Sequence, residues 1–270
     1  MTSARHVLFL VASTREPGHV GNTEWLARQA AASLPPDTTQ TWVHLARAGI
    51  PEFIDQRHTV GSYPMPESGS VMRNLLDQTL ACTDLVFVAP VYWFSFPATL
   101  KAYLDHWSAW LRVPGLEFKA QMSQKRLWLI TTNGDRAKAQ PMIDSTAMCA
   151  KFLEMPLAGV LWGKGGAAEA VKADEGAAEN ALTFFGHPQQ GISGNQVTRS
   201  SIVYAYNGYL PVFASWNSGE PYTGKASGTK DIADWSGGFL DGFPHGPFVL
   251  VLGDRQTNYL KFDRGLVAEN

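Results

Sequence analysis

The first segment that could do chemistry, residues 12–23, combines small hydroxyl residues, glycines and one arginine. Short side chains let several backbone N–H groups converge on an anion, and an arginine adds a charge-assisted hydrogen bond. The segment precedes a helical pattern, and a helix N-terminus also favours negative charge. We therefore predict a phosphate-binding loop, with simple helix capping by Asn22 or Thr23 as the alternative. The residues that fit such a loop are Ser13, Arg15, Gly21, Asn22 and Thr23.

This segment differs from the two most familiar phosphate loops. It contains neither the Gly-x-Gly-x-x-Gly of Rossmann dinucleotide sites nor the Gly-x-x-x-x-Gly-Lys-Ser/Thr of P-loop NTPases. The lysine that an NTPase places at the phosphates is missing. Both classes are therefore disfavoured.

The second segment, residues 89–97, is crowded with aromatic side chains. Aromatic residues in an exposed loop leave apolar area in water unless they cover a partner, and a flat ligand is such a partner. A small aromatic core cluster is the alternative. The residues predicted to line a planar ring are Pro90, Val91, Tyr92, Trp93 and Phe94.

The third segment, residues 131–135, reads Thr-Thr-Asn-Gly-Asp. Asn-Gly marks a tight turn, which is the simpler interpretation of this segment alone. Its amide, hydroxyl and carboxylate groups could also face a ligand. The residues predicted to do so are Thr132, Asn133, Gly134 and Asp135.

The elements that must position these segments alternate between strand and helix over about the first 187 residues. The residue pattern predicts strands at 7–11, which is a continuous apolar run, and at 39–45, 84–89, 126–131 and 157–162. It predicts helices at 22–34, 70–81, 96–111, 140–153 and 173–185. This alternation predicts a parallel sheet covered on both faces. Ligands of such sheets bind beyond the carboxyl ends of the strands, where all three segments lie. Trp107 and Trp110 share a face of the third helix and are expected to pack in the core or at a subunit contact rather than to contact a ligand directly.

The rest of the chain and its composition restrict the function further. The formal net charge is −2, so no basic surface indicates nucleic acid. No run is long and apolar enough for a membrane span, and no leader is visible, so we expect a cytoplasmic protein. Cys82 and Cys149 form no Cys-x-x-Cys pair, so no metal site is predicted. Residues 188–270 are rich in glycine and aromatics and predict an irregular β-rich extension, with strands near 201–206, 209–214 and 248–252.

On these motifs the sequence resembles the NAD(P)H-dependent FMN reductase and quinone reductase family of the flavodoxin-like superfamily. The first loop is similar to the family's Gly-Ser-x-Arg…Gly-Asn-Thr pattern, although Ala12 replaces the first glycine. The segment 90–105, Pro-x-Tyr-Trp…Pro-x-x-Leu-Lys-x-x-x-Asp, is closer to the family pattern. The resemblance covers residues 1–187 and leaves 188–270 unmatched. It implies an α/β, flavodoxin-like three-layer sandwich whose five-stranded parallel sheet has the order 2-1-3-4-5.

The same resemblance implies a flavoenzyme. Ser13, Arg15, Asn22 and Thr23 would hold the phosphate of FMN, and segments 90–94 and 132–135 would line its isoalloxazine ring. Hydride would come from NAD(P)H and pass to a quinone, flavin or similar small acceptor without a catalytic acid or base from the protein. The resemblance also implies a homodimer or homotetramer. The alternatives are a flavodoxin-type electron carrier, a flavoenzyme whose chemistry the extension redirects, and a binding module without FMN.

Overall fold

The computed structural model describes residues 5–185 continuously and, beyond them, segments 202–206, 210–214, 224–230, 233–240, 243–252, 257–263 and 266–267. Residues 5–185 form a doubly wound α/β unit. Its strands are β1 (His6–Val11), β2 (Thr39–His44), β3 (Asp84–Val88), β4 (Arg126–Asn133) and β5 (Leu157–Lys164). Its helices are α1 (Asn22–Ala31), α2 (Val71–Ala81), α3 (Ala98–Trp110), α4 (Phe118–Met122), α5 (Gln140–Phe152) and α6 (Glu175–Ala181). None of the helices in the described residues is long and apolar enough to cross a bilayer.

The sheet has the strand order β2-β1-β3-β4-β5, and every neighbouring pair is parallel. The predicted fold and strand order are therefore confirmed. All residues of β3 are buried, as expected for a strand that is covered on both faces. The chain runs from β1 outward to β2 and then crosses back to β3, so the order reverses between β1 and β3. Where the strand order reverses, the loops that follow the two neighbouring strands run in opposite directions. A crevice opens between them.

Two apolar clusters fill the spaces on either side of the sheet. Trp107 and Trp110 of α3 are buried in one cluster, where both pack edge-on against Phe118 of α4. Of the two predicted placements, packing in the core is the one observed. On the other face, Trp128 of β4 contacts the rings of Phe184 and Phe185.

Helix ends differ from the predicted ones for local reasons. α1 stops at Ala31 rather than at residue 34, because the Ser33 hydroxyl donates to the carbonyl of Ala30 at 2.7 Å and two prolines follow. The predicted helix 173–185 is a 3-10 turn followed by the shorter α6, whose start is capped by the Asp174 carboxylate. Helix α4 went unpredicted because its five residues are too few to show a period.

The described strands beyond residue 185 pair in the antiparallel sense. They are β6 (Ile202–Tyr206), β7 (Leu210–Ala214), β8 (Gly224–Lys230), β9 (Ala233–Leu240), β10 (Phe243–Leu252), β11 (Thr257–Asp263) and β12 (Leu266–Val267). The first two form a hairpin, and the others form a sheet in the order β12-β11-β10-β9-β8. The predicted strand 248–252 lies within β10, and the predicted strands 201–206 and 209–214 match β6 and β7 except for their first residues, 201 and 209, which lie outside the described residues.

A buried charge cluster joins three strands at the amino edge of the sheet, opposite the crevice. The carboxylate of Asp84 has no exposed area and lies 3.2 Å from Arg5 Nε and 2.8 Å from an Arg126 guanidinium nitrogen. The indole N–H of Trp128 also donates to it, at 2.8 Å. Burial raises the pKa of Asp84, but the charges of Arg126 and Arg5 outweigh burial and leave that pKa below its ordinary value.

Candidate functional site

A cleft of about 280 Å³ lies at the carboxyl edge of the sheet, at the reversal between β1 and β3. The three predicted segments meet there, together with Gly165 and Gly166 from the loop after β5. The predicted residues that line it are Ser13, Arg15, Gly21, Asn22, Thr23, Pro90, Val91, Tyr92, Thr132, Asn133 and Gly134. The other three predicted residues, Trp93, Phe94 and Asp135, line a neighbouring depression instead.

One end of the cleft is formed by the N-terminus of α1, which has no side-chain cap. Gly21 occupies the N-cap position, and the first backbone bond of the helix runs from the Trp25 N–H to the Gly21 carbonyl at 2.9 Å. The N–H groups of residues 22–24 precede that bond and have no carbonyl to reach within the helix. Capping by Asn22 or Thr23, the alternative to an anion site, is therefore wrong.

Two side chains of the first loop border this helix end. A Cβ atom added to Gly21 would lie 3.4 Å from Arg15 Cγ and 3.6 Å from Ser13 Oγ. Within the residues that the structure describes, the Arg15 guanidinium has no hydrogen bond or ion pair, whereas Arg28 and Arg73 each contact a carboxylate. An unpaired guanidinium beside uncapped helix N–H groups is suited to bind an anion.

The side chain of Asn22 points away from the anion position and holds the loop after β5. Its amide nitrogen donates to the carbonyls of Gly165 and Ala167, at 3.1 and 2.7 Å. Its amide oxygen accepts from the Val171 N–H at 3.5 Å. Both amide N–H bonds are used, so the expectation that this side chain donates to a phosphate is wrong. Its backbone N–H, at the start of α1, remains in position for an anion.

The hydroxyl of Thr23 links α1 to β4 rather than standing free in the cleft. Its Oγ1 atom lies 2.5 Å from Oγ1 of Thr132, and both residues are buried. One of the two hydroxyls donates to the other, and the pair fixes the distance between the first and third segments.

The loop after β5 is the wall that the sequence analysis missed. The Gly165 N–H donates to the Asn133 carbonyl at 2.8 Å, which keeps this loop against the third segment. An added Cβ at Gly165 would lie 2.9 Å from Thr132 Cβ, closer than Cβ atoms approach in proteins, and 3.1 Å from Asn22 Cβ, which is tighter than most such contacts. The Gly165-Gly166 pair, three residues after the fifth predicted strand, was the available signal, since it marks a close backbone approach.

The aromatic segment forms a strained turn above the cleft. Tyr92 and Ser95 exchange backbone hydrogen bonds at 3.1 and 3.0 Å, and Trp93 and Phe94 between them have φ angles of 49° and 64°. This is the arrangement of a type I′ turn, which glycine and asparagine favour and bulky residues avoid. The Trp93 side chain is 92% exposed and Phe94 is half exposed, so these two residues do not belong to a buried aromatic core cluster, whereas Phe96 packs against the core at Phe87.

A shallow depression of about 400 Å³ adjoins the cleft on the side of this turn. Val91, Asn133 and Gly134 line both spaces, so the two are contiguous. The depression is completed by Trp93, Phe94, Asp135 and Lys138. Sequence analysis missed Lys138, which lies on a 3-10 helix that the Asp135 carboxylate caps through the Ala137 N–H at 3.0 Å.

Replacing Phe94 by glycine is expected to stabilise the protein by about 0.5–1 kcal/mol, because a left-handed backbone costs a bulky residue more than it costs glycine. Little packing is lost, since half of the side chain is exposed. Urea unfolding of the protein without any added ligand measures the effect. Ser95→Gly is the control, and it should destabilise, because Ser95 has no left-handed backbone to relieve. If the Phe94→Gly protein were less stable than wild type, the backbone strain inferred at residue 94 would be wrong.

Comparison with known proteins gives a family match. A family model described as flavodoxin-like fold matches residues 5–179. Among curated proteins, the chain is 32% identical over 149 residues to a Bacillus subtilis (strain 168) protein, YwqN, and this match covers 54% of the chain and 78% of the relative. The name of that relative gives NAD(P)H-dependent, FMN-containing oxidoreductase as a provisional assignment.

Two further similarities agree with this match. An FMN-dependent NADH:quinone oxidoreductase of Pseudomonas fluorescens is 32% identical over 146 residues, which cover 47% of the chain and 70% of the relative. The solved structure of the Trp repressor binding protein from Bacillus subtilis, 24% identical, superposes with a TM-score of 0.50. That superposition covers 67% of the chain and 96% of the other protein, and it concerns the fold alone.

Proposed function

Because the chain belongs to the flavodoxin-like family, we propose that its cleft binds FMN and that the protein is an NAD(P)H-dependent oxidoreductase. We further propose a quinone, a flavin or a similar small molecule as the electron acceptor. The oxidoreductase names of two curated relatives support this proposal. The observation that carries it is the unpaired Arg15 beside the uncapped N-terminus of α1, at one end of a cleft that continues to an aromatic turn.

The donor set at the α1 end fits a phosphate monoester. The guanidinium of Arg15, the hydroxyl of Ser13 and the N–H groups that begin α1 would hold its oxygens. The one carboxylate in the first turn of α1, that of Glu24, is buried and accepts from Arg28 at 3.0 and 2.6 Å. His44 Nε2 lies 3.3 Å from its other oxygen. The charge of Glu24 is therefore compensated locally, which limits its repulsion of a phosphate.

The other end of the cleft fits a planar ring. Segments 90–92 and 132–134 line this end, and the exposed aromatic side chains of the turn follow directly. When bound, FMN accepts a hydride and passes electrons on, so the chain has only to position the partners. The backbone of Thr132 accepts from the Val91 N–H at 3.3 Å, which couples the two segments that would hold the ring.

The direct test uses the purified protein with FMN under anaerobic conditions. Addition of NADH or NADPH should bleach the flavin absorbance within seconds, and addition of a quinone should restore it. A bound flavin that nicotinamides reduce only slowly, with a stable semiquinone, would instead indicate an electron carrier. A protein that does not bind added FMN would overturn the proposal.

Replacing Arg15 by alanine is expected to weaken FMN binding about ten-fold, because a charge-assisted hydrogen bond contributes about 1.5–3 kcal/mol and this one is exposed. Quenching of flavin fluorescence measures the dissociation constant. Riboflavin, which lacks the phosphate, should bind both proteins equally. Arg73→Ala is the control, since Arg73 pairs with Asp77 on exposed surface of α2. An equal loss of riboflavin and FMN affinity would show that Arg15 does not hold the phosphate.

We propose that residues 1–187 constitute the FMN-binding unit and that residues 188–270 serve as a lid or an assembly arm. The described strands of the extension form sheets separate from the parallel sheet, which supports the division. We also propose a homodimer or homotetramer. Light scattering of the full chain measures its mass, and a monomer would contradict this assembly.

A further inference from the structure

We propose that the depression beside the cleft is a subsite for planar ring compounds that carry an anionic group, with Trp93 as the stacking surface and Lys138 as the charge partner. This inference rests on the proposed function, because it takes the ligand to be the electron acceptor. It goes further by assigning the chemical class of that acceptor and two residues that select it.

The position of the depression is the first observation that supports an acceptor site. It shares Val91, Asn133 and Gly134 with the cleft, so a ligand in it lies next to whatever the cleft holds at that end. The three shared residues are the ones proposed to lie beside the ring of FMN. An acceptor must approach that ring closely to take electrons from it, and the depression offers this approach from the open side.

The Trp93 side chain is the second supporting observation. It is 92% exposed on a backbone of positive φ, so the chain keeps a strained residue where it gains no packing. Strain of this kind persists at ligand sites, where the side chain serves a partner. An indole face is a good stacking surface for a flat aromatic compound, and Phe94 beside it enlarges the apolar area.

The Lys138 ammonium is the third supporting observation, because it places a positive charge on the rim of this aromatic surface. The side chain is 63% exposed and lies 3.8 Å from the Asp135 carboxylate, too far for a strong hydrogen bond. The other carboxylate oxygen of Asp135 accepts from the Ala137 N–H. Lys138 has no other side-chain partner within the described residues, so a bound anion could recruit it.

Lys138 and Asp135 carry opposite charges on this rim, so replacing each of them should change the affinity for an anionic ligand in opposite directions. Lys138→Gln removes the cation that would attract an anionic ligand. Asp135→Asn removes the carboxylate that would repel it, while asparagine can still accept from the Ala137 N–H as a capping residue. Lys172→Gln is the matched control, because Lys172 also pairs with an acid three residues earlier, Glu169, away from the cleft.

The experiment measures binding without turnover. Anthraquinone sulfonate and its neutral carboxamide analogue are titrated by calorimetry into the oxidised, FMN-loaded protein in the absence of nicotinamide. Wild type should bind the sulfonate more tightly than the carboxamide. Lys138→Gln should weaken sulfonate binding about three- to five-fold, the range of an exposed charge interaction, and Asp135→Asn should strengthen it. Both should leave carboxamide binding unchanged, and Trp93→Ala should weaken both probes.

Several outcomes would overturn the inference. The first is equal affinity of the wild type for the two probes. The second is an equal loss of sulfonate affinity in Lys138→Gln and Lys172→Gln. The third is unchanged binding of both probes in Trp93→Ala. If Lys138→Gln instead slowed flavin reduction by NADH and left sulfonate binding intact, the cation would serve the nicotinamide donor and the assignment to the acceptor would be wrong. FMN binding and bleaching by NADH are measured on the same samples, so failure of the proposed function is recognised separately.

Discussion

Replacing Asp84 by asparagine is expected to lower the free energy of unfolding by about 3–5 kcal/mol, the largest effect that we predict for a single substitution. Asparagine keeps the shape of the side chain but removes its charge. Arg5 and Arg126 would then lie beside a neutral amide, and removing one partner of a buried ion pair leaves the remaining charges uncompensated. Trp128 would lose the charged acceptor for its indole N–H.

The pH dependence of this effect follows from the lowered pKa of Asp84. A carboxyl group with a lowered pKa contributes stability that is fully present above its unfolded-state pKa of about 3.9 and is lost as the pH falls through its folded-state pKa. The difference in stability between wild type and Asp84→Asn should therefore be constant near neutral pH and shrink below about pH 4.

Urea unfolding at several pH values measures the Asp84 effect. Asp77→Asn is the matched control, because Asp77 pairs with Arg73 on the exposed surface of α2 and should matter by less than about 1 kcal/mol. If Asp84→Asn and Asp77→Asn unfolded at the same urea concentration, the buried cluster would not hold the amino edge of the sheet.

Replacing Gly165 by alanine is expected to raise the dissociation constant for FMN about 10- to 100-fold. The new Cβ would meet Thr132 Cβ at 2.9 Å and Asn22 Cβ at 3.1 Å, and these atoms sit on the backbone of β4 and α1 rather than at the ends of flexible side chains. The loop after β5 must therefore move, at a cost typical of overpacking, about 1–3 kcal/mol. That movement would displace Gly166 from the wall of the cleft and weaken the hydrogen bond from the Gly165 N–H to the Asn133 carbonyl.

The control for this loop is Gly176→Ala, at the start of α6. An added Cβ there meets only Asp174 Oδ1, at 3.7 Å, and alanine favours a helix, so FMN affinity should stay unchanged. Fluorescence titration gives the affinity, and urea unfolding of the FMN-free protein gives the stability. Wild-type FMN affinity in Gly165→Ala would mean that the loop after β5 does not belong to the site.

The sequence predicted the fold well because the strands of the parallel sheet, apart from the edge strand β2, are buried apolar runs. The fully buried β3, Asp84–Val88, and its neighbours read as apolar runs between helical patterns, and the strand order follows the family pattern. The edge of the sheet that carries the site was predictable for the same reason, since parallel strands end together. The fifth strand ends there as well, and its Gly165-Gly166 pair could have been included on that argument.

Side-chain directions in the site were less predictable. Asn22 stands in a phosphate-loop pattern, yet a pattern of residue types does not say which partner an amide chooses, and here the partner is the loop after β5. The left-handed backbone of Trp93 and Phe94 was equally hidden, because the exchange of hydrogen bonds between Tyr92 and Ser95 overrides the local preference of bulky residues. Lys138 was not among the predicted site residues, because its proximity to the aromatic turn arises only from the tertiary structure.

The anchoring of Asn22 has a mechanical consequence. The segment between β5 and α6 links the cleft covalently to α6, and Asn22 holds this segment at the carbonyls of Gly165 and Ala167 and at the N–H of Val171. A displacement of α6 would therefore reach α1 by two routes, the apolar packing between the two helices and the hydrogen bonds of Asn22, and the second route ends at the helix N-terminus that faces the cleft.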